Sequence, residues 1–193
     1  MILPIVAYGH PTLRKVCDDI NADYPNLQTL IENMWATMYH TNGVGIAAPQ
    51  INVPIRLFVV DTIQIVEGFD EEDKLDYPNE KGIKQVFINA HVQDLSGKEW
   101  AYNEGCLSIP KVREDVKRLE RVRIKYLDEQ FQEHEEEFDG ITARVILHEY
   151  DHIDGKLFID YLSPLKKKLI KKRLDDIIKG KVNIGYRMLF SKK

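Results

Sequence analysis

The stretch "ILHEYDHIDG", residues 146–155, places two histidines four positions apart, with a glutamate directly after the first. On a helix, residues four apart lie on one face, so His148 and His152 can direct their imidazole nitrogens at a single ion. Glu149 projects to the side, where it can reach a water on that ion. The apolar residues just before the motif favour burial of the helix. The stretch therefore predicts a central helix carrying a metal site, with two merely packed histidines as the alternative.

The composition limits the classes of protein to which the chain can belong. With 193 residues, 44% hydrophobic and 30% charged, residues 1–193 are expected to form a single globular domain with a sizeable core. The formal net charge of -4 favours neither a nucleic acid nor a membrane surface. No apolar run approaches a bilayer span, no targeting signal follows Met1, and two cysteines are too few for a disulfide framework. We therefore predict a cytoplasmic protein with no membrane partner.

Periodicity elsewhere in the chain predicts further helices and short strands. Apolar residues at helical spacing predict one helix over residues 25–40 and another over residues 164–180. Four segments rich in β-branched and aromatic residues predict strands, namely "PIRLFVVDT", "QVFINAHV", "KEWAYNEG" and "RVRIKYLDE". The predicted fold class is α+β, with short, mostly antiparallel strands packed around the central metal-binding helix and a further helix at the C-terminus.

Two acidic segments are expected at the surface. The segment "EGFDEEDKLDYPNEKG", residues 67–82, has few large apolar residues and is predicted to be a long loop or a mobile excursion, not a domain linker. The segment "QEHEEEFDG", residues 132–140, is predicted to form a solvated strand edge.

A catalytic metal site needs a third protein ligand and an open position. The zinc peptidases that add a downstream glutamate or a third histidine do not fit, because no glutamate follows Glu149 and Phe158 stands where that histidine belongs. Cys106, in "NEGCLSIP", is a candidate, because a thiolate is a strong ligand for iron or zinc. The alternative is that Cys106 is a small buried hydrophobic residue.

Three separated motifs make the chain similar to the peptide deformylase family. They are "GVGIAAPQ" (residues 43–50), "EGCLS" (residues 104–108) and "HEYDHIDG" (residues 148–155), in the family's order and at similar spacing. Together they are highly specific, although the glycine pair of the first would be weak alone. Leu147 stands where many members have Gln, and Ile153 replaces a common Leu. Neither departure removes a candidate ligand or base.

The resemblance implies a metal-dependent hydrolase that removes the N-formyl group from the N-terminal formylmethionine of newly synthesised polypeptides and releases formate. Residues 1–193 would then be a single catalytic domain whose motif core spans residues 40–160. Cys106, His148 and His152 would hold one divalent metal, with Fe2+ favoured and Zn2+, Ni2+ or Co2+ as alternatives. The ion would lower the pKa of its bound water, and Glu149 would move that water's proton to the leaving amine.

The resemblance also implies how a formylmethionyl nascent peptide binds. The side-chain amide of Gln50 and the backbone N–H of Leu107 would stabilise the developing oxyanion. The alternative is that Gln50 is a polar surface residue without a role in the site. Backbone on both sides of the substrate would pair with it as an added strand, so that one enzyme accepts many sequences. The residues with this implied role are Gly43, Val44, Gly45 and Gly105.

The C-terminal stretch, residues 164–182, carries eight Lys or Arg against two Asp, a net charge of +6 in a chain of net charge -4. It predicts a basic amphipathic helix over residues 164–181. The apolar stripe of this helix consists of Leu165, Leu169, Ile170, Leu174, Ile177 and Ile178. The resemblance raises ribosome docking through this helix, with binding that weakens steeply with salt. The alternative is an ordinary surface helix with a packed apolar face.

Three functions remain open on the sequence. The first is a metallo-amidase that removes formyl groups. The second is a metallopeptidase with an unfamiliar ligand set, which predicts cleavage inside a peptide. The third is a nucleic-acid or ribosome-binding module whose metal is structural or absent, which predicts salt-sensitive RNA binding without hydrolysis.

Overall fold

The computed structural model describes residues 1–191 and is organised around one five-stranded sheet. The strands along the chain are β1 (Ile5–Val6), β2 (Gly45–Ala47), β3 (Leu57–Asp61), β4 (Lys84–Cys106), β5 (Ile109–Leu127), β6 (Glu133–Phe138) and β7 (Met188–Leu189). The large sheet has the order β2-β3-β4-β5-β6, and every neighbouring pair in it is antiparallel. β1 and β7 form a separate two-stranded parallel sheet.

The described residues also contain five α-helices. They are α1 (Leu27–His40), α2 (Ile63–Glu67), α3 (Glu71–Asp76), α4 (Gly140–Ile153) and α5 (Pro164–Ile178). The helices predicted over residues 25–40 and 164–180 lie where they were expected, to within two residues at each end, and the predicted central helix that carries the two histidines is α4. Among residues 1–191, each helix is too short or too polar to cross a membrane.

Both faces of the sheet are covered by a helix. Leu57 and Val59 of β3 belong to the apolar cluster with α1, whereas Phe58 and Val60 belong to the cluster with α4. Successive strand residues point to opposite faces, so all five residues of β3 are buried. The predicted α+β fold, with mostly antiparallel strands packed on a central helix, is confirmed.

The strands β4 and β5 are longer than the sequence suggested, at 23 and 19 residues. The predicted strands "QVFINAHV" and "KEWAYNEG" join into the single strand β4. Register shifts between Val92 and Asp94 and between Ser96 and Glu99 absorb the polar stretch between them, as β-bulges do. A tight turn at residues 107 and 108 connects β4 to β5 and places Cys106 at the tip of the hairpin. The acidic strand β6 lies at the sheet edge with its acids exposed, as predicted.

The acidic segment 67–82 is not the long loop that was predicted. It contains α3, whose first residue is preceded by the capping side chain of Asp70. Further along, Glu80 reaches the start of α4: its Oε2 accepts from the backbone N–H of Ile141 at 2.9 Å, and its Oε1 accepts from the Thr142 hydroxyl at 2.6 Å. A carboxylate at a helix N-terminus pairs with free N–H groups and the positive end of the helix dipole. The segment therefore anchors the helix that carries the two histidines.

The basic helix α5 packs only part of its predicted apolar stripe. Ile170, Leu174 and Ile177 are buried in a cluster with the start of β5. Leu165 and Leu169 are 67% and 71% exposed and lie among lysines. The stripe is therefore divided between a packed face and an exposed one.

Candidate metal centre and active-site cleft

The three predicted metal ligands converge from two elements. Cys106 lies at the end of β4, and His148 and His152 lie one turn apart on α4. One ligand atom from each residue lies within 4.8 Å of the other two. The Cys106 Sγ atom is 3.3 Å from His152 Nε2. A thiolate with two imidazoles matches the ligand preferences of a borderline divalent ion, so the residues present fit the implied metal.

The orientation of His148 is fixed by a carboxylate behind it. Its Nδ1 lies 2.9 Å from Glu104 Oε2, so the N–H at this position donates to the carboxylate. This hydrogen bond sets the tautomer and leaves Nε2 with a lone pair for an ion.

Glu104 is buried and is surrounded by cations. The guanidinium of Arg118 makes two hydrogen bonds to it, at 2.8 and 3.1 Å, and Arg144 adds a third at 3.1 Å. Burial alone would raise the pKa of Glu104, but the hydrogen bonds from His148 and Arg118 hold it far below the ordinary range. Arg118 also bonds Asp151 at 2.7 Å, so one network supports both α4 and the end of β4.

Glu149 occupies a very different environment. Its side chain packs against Gly45, where an added Cβ would lie 2.6 Å from the carboxylate oxygen Oε1. Within residues 1–191, its Oε2 is buried and has no hydrogen-bond partner. Burial raises the pKa of Glu149 to about 7. A carboxyl in this state can both accept and release a proton near neutrality.

Gln50 and Leu107 lie beside Cys106. The Oε1 atom of Gln50 accepts from the Ala47 N–H at 2.8 Å, which directs its Nε2 toward Cys106 Sγ at 3.5 Å and Ser108 Oγ at 3.4 Å. Gln50 is only 1% exposed, so it is not a surface polar residue. Leu107 lies in the turn between β4 and β5, directly after Cys106.

A cleft of about 800 Å³ opens over these groups. One wall includes residues 43–45, which lead into β2, an edge strand of the large sheet. All four residues predicted to contact substrate backbone, Gly43, Val44, Gly45 and Gly105, line the cleft. The predicted base and oxyanion donors line it as well, whereas His152 is buried and is not part of the lining. The structure therefore brings every predicted site residue to one place.

Several supporting residues were not predicted from the sequence. Glu104 is the first residue of the motif "EGCLS", and no role was predicted for it. Its position two residues before Cys106 on a strand places both side chains on one face. Arg118 and Arg144 reach Glu104 from other elements, and no local pattern marks them. Tyr186, near the end of the described chain, also lines the cleft.

Comparison with known proteins gives a consistent result. The family described as polypeptide deformylase matches residues 2–168. A peptide deformylase of Christiangramia forsetii is 51% identical over 98% of this chain and 96% of its own length. A peptide deformylase of Flavobacterium johnsoniae is 54% identical over 99% of this chain and 97% of its own length.

Solved structures agree with these relatives. The crystal structure of a peptide deformylase from Legionella pneumophila has a TM-score of 0.76 and 35% identity, and the match covers 94% of this chain and 98% of that one. The crystal structure of peptide deformylase from Thermus thermophilus has a TM-score of 0.79 and 33% identity, covering 93% and 99%. The chain therefore belongs to the polypeptide deformylase family, the metal-dependent hydrolases that remove the N-formyl group from newly synthesised polypeptides.

Proposed function

We propose that Cys106, His148 and His152 hold one divalent ion, natively Fe2+, at which the formyl group of formylmethionyl peptides is hydrolysed. The observation that carries this proposal is the convergence of one thiol and two imidazole ligand atoms within 4.8 Å. Zn2+, Ni2+ and Co2+ suit the same ligands, and the family resemblance favours iron. When bound, the ion supplies Lewis acidity that acidifies water and polarises a carbonyl oxygen.

Glu149 is proposed as the group that moves the proton. It would take a proton from the attacking water and deliver it to the amine nitrogen as the C–N bond breaks, so that formate and a free amino terminus leave. The support is its position in the cleft, with one buried oxygen that has no protein partner among residues 1–191. Its pKa of about 7 suits transfer in both directions.

Gln50 and Leu107 are proposed as the donors that stabilise the oxyanion. The Gln50 amide is held by the Ala47 N–H so that its NH₂ group, and not its oxygen, faces Cys106. Leu107 follows Cys106 in the tight turn, so its backbone N–H is fixed close to the same ligand. Donors fixed in advance cost no reorganisation when charge develops.

The substrate is proposed to bind as an extra strand along β2. This strand is at the sheet edge beside the cleft, and Gly43, Val44 and Gly45 line that side while Gly105 lines the other. Main-chain hydrogen bonds give affinity without reading side chains, which suits an enzyme that acts on many nascent peptides.

The decisive experiment measures anaerobic formate release from formyl-Met-Ala-Ser, together with the metal content per chain. Glu149→Gln is expected to lower kcat by about 10³-fold, within the range for loss of a general acid–base group, while it retains the metal. Glu137→Gln, an exposed glutamate on β6, is the matched control and should behave as wild type. No formate from metal-loaded wild type would reject the function, and an active Glu149→Gln would reject the base.

The native metal is tested separately. Iron predicts that activity is lost in air and restored by Fe2+ under argon, whereas a zinc form keeps its activity. Unchanged activity and metal content after hours in air would reject iron.

We also propose that α5 docks on the ribosome and that residues 1–193 act as one catalytic domain in the cytoplasm. The exposed Leu165 and Leu169 beside lysines support docking.

Truncation before Pro164 would remove core residues of α5, so charge removal is the better test of docking. The test variant changes Lys168, Lys171 and Lys172 to Gln, and its matched control changes Lys15, Lys81 and Lys98. Only the first triple should reduce co-sedimentation with ribosomes, in a salt-dependent manner. Equal co-sedimentation of both variants would contradict docking.

A further inference from the structure

The segment after α5 returns to the catalytic cleft. Its last strand, β7, pairs with β1 through hydrogen bonds from Ile5 N to Arg187 O at 2.9 Å and from Ala7 N to Leu189 O at 2.8 Å. These bonds tie the segment to the body of the protein. Residues 183–186, just before β7, then form part of the cleft wall. The family match ends at residue 168, so this wall lies outside it.

Within that wall, one side chain reaches the catalytic turn. The hydroxyl of Tyr186 donates to the backbone carbonyl of Leu107 at 2.7 Å. The Tyr186 ring packs on the apolar cluster that contains α1, which limits its freedom to move away. The bond therefore joins the segment after α5 to the residue that follows the ligand Cys106.

Contacts from three other parts of the described chain hold the turn at residues 107 and 108. The Tyr8 N–H donates to Ser108 O at 2.9 Å, and Gln50 Nε2 lies 3.4 Å from Ser108 Oγ. Both of these contacts restrain Ser108. Tyr186 is the contact that restrains the carbonyl of Leu107 and so the rotation of the peptide plane between the two residues.

We propose that Tyr186 is a positioning residue for deformylation: by holding the carbonyl of Leu107 it fixes the peptide plane on one side of the Leu107 Cα, and so limits rotation of the neighbouring plane, whose Leu107 N–H faces the oxyanion. This inference rests on the proposed role of Leu107. An oxyanion donor is effective only when it is held within about 0.5 Å and about 10–20° of the productive geometry. Without the hydrogen bond from Tyr186, rotation of the Leu107–Ser108 peptide plane would carry the neighbouring N–H out of this range.

The test compares Tyr186→Phe with Tyr126→Phe. Tyr126 also donates a short hydrogen bond, to Glu136 at 2.6 Å, but it lies outside the cleft lining. Tyr186→Phe is expected to lower kcat about 10-fold, less than the 10²-fold or more for loss of a whole oxyanion donor. Its KM should stay within about twofold, because the lost restraint acts in the transition state. Tyr126→Phe should leave both parameters unchanged.

A second measurement reports directly on the mobility of the turn at residues 107 and 108. Hydrogen exchange at the Leu107 amide, followed by NMR in zinc-loaded protein, should be about 5-fold faster in Tyr186→Phe and unchanged in Tyr126→Phe, since a lost hydrogen bond frees local opening. Unchanged exchange, a kcat within twofold of wild type, a rise in KM alone, or an equal loss of kcat in Tyr126→Phe would each overturn the proposal. If wild type itself released no formate, the proposed function would fail, while the exchange measurement would still report on the restraint.

Discussion

Two glutamates beside the same metal site are equally buried but differ in their hydrogen-bond partners and in their pKa. Glu104 and Glu149 are each 4% exposed. Glu104 receives hydrogen bonds from two arginines and from His148, and its pKa is lowered. Glu149 has a buried oxygen without a partner in the described chain, and its pKa is raised to about 7. The contrast shows that the partners of a buried carboxyl, and not burial itself, decide whether its pKa is lowered or raised.

The largest expected effect comes from removing Arg118, the cation that makes the environment of Glu104 different from that of Glu149. Arg118→Leu leaves Glu104 and Asp151 buried without their main partner, so the free energy of unfolding should fall by about 3 to 5 kcal/mol. Urea unfolding followed by circular dichroism measures this loss. Arg123→Leu, which removes an exposed pair with Glu135, should cost no more than about 1 kcal/mol. Equal losses in the two variants would contradict the assigned role of Arg118.

The two glutamates should give the metal-free protein opposite pH dependence. The folded state binds a proton at Glu149 more tightly than the unfolded state does, so this residue lowers stability as pH rises from about 4.3 to about 7. The effect is on the order of 3 kcal/mol. Glu104, with a lowered pKa, contributes stability above about 4.3 that is lost as the solution becomes more acidic.

Unfolding of chelator-treated protein between acid and neutral pH separates these two contributions. Glu149→Gln should remove the fall toward neutral pH and leave the protein more stable than wild type at pH 8. Glu104→Gln should remove the acid-side loss and leave the protein less stable at pH 8. If the free energy of unfolding changed with pH in the same direction in both variants, the opposite roles assigned to the two glutamates would be wrong.

A smaller effect is expected on metal affinity. Glu104→Gln keeps the shape of the side chain but weakens the hydrogen bond that orients His148, so the metal dissociation constant should rise about 10- to 100-fold. Competition with a chromophoric chelator measures this constant. Glu99→Gln, on an exposed part of the same strand, is the control. An unchanged constant for Glu104→Gln would mean that the carboxylate does not orient the ligand.

The smallest effect concerns a third carboxylate, at the start of α4. Glu80→Gln weakens the pairing with the Ile141 N–H and the helix dipole, so the protein should lose about 1 kcal/mol of stability. Because the bonds of Glu80 are to helix backbone and hydroxyl groups, kcat of the folded enzyme should stay as in wild type. Thermal unfolding and the formate assay together check both statements. A loss of kcat without a loss of stability would place Glu80 in the chemistry instead.

The metal site was largely predictable, because its information is local. Histidines four apart on an apolar helix and a cysteine in a specific motif identify the ligands by type and spacing. Glu104 could have been found from strand alternation with Cys106. The roles of Arg118, Arg144 and Tyr186 could not be found in this way. Their partners are 14, 40 and 79 positions away in the sequence, respectively, and only folding brings these residues into contact.

The errors in the fold also have physical causes. The segment 67–82 lacks an apolar periodicity, so α3 was missed, yet Asp70 and Asp73 form a capping box that marks the start of this helix. The polar stretch inside β4 was predicted to separate two strands. This prediction was wrong because β-bulges allow a strand to continue through residues that would otherwise break it.

The hairpin geometry has a consequence for the order of folding events. The turn at residues 107 and 108 needs only local closure, whereas Cys106 meets His152 across 46 positions. Closing the longer loop costs more chain entropy, so we expect the hairpin to form first and the helix with both histidines to dock later. A metal that needs all three ligands can bind only after that docking. Added Zn2+ should therefore slow unfolding while leaving the refolding rate almost unchanged, and stopped-flow measurements with and without the ion would reveal an early ligand cluster if refolding accelerated instead.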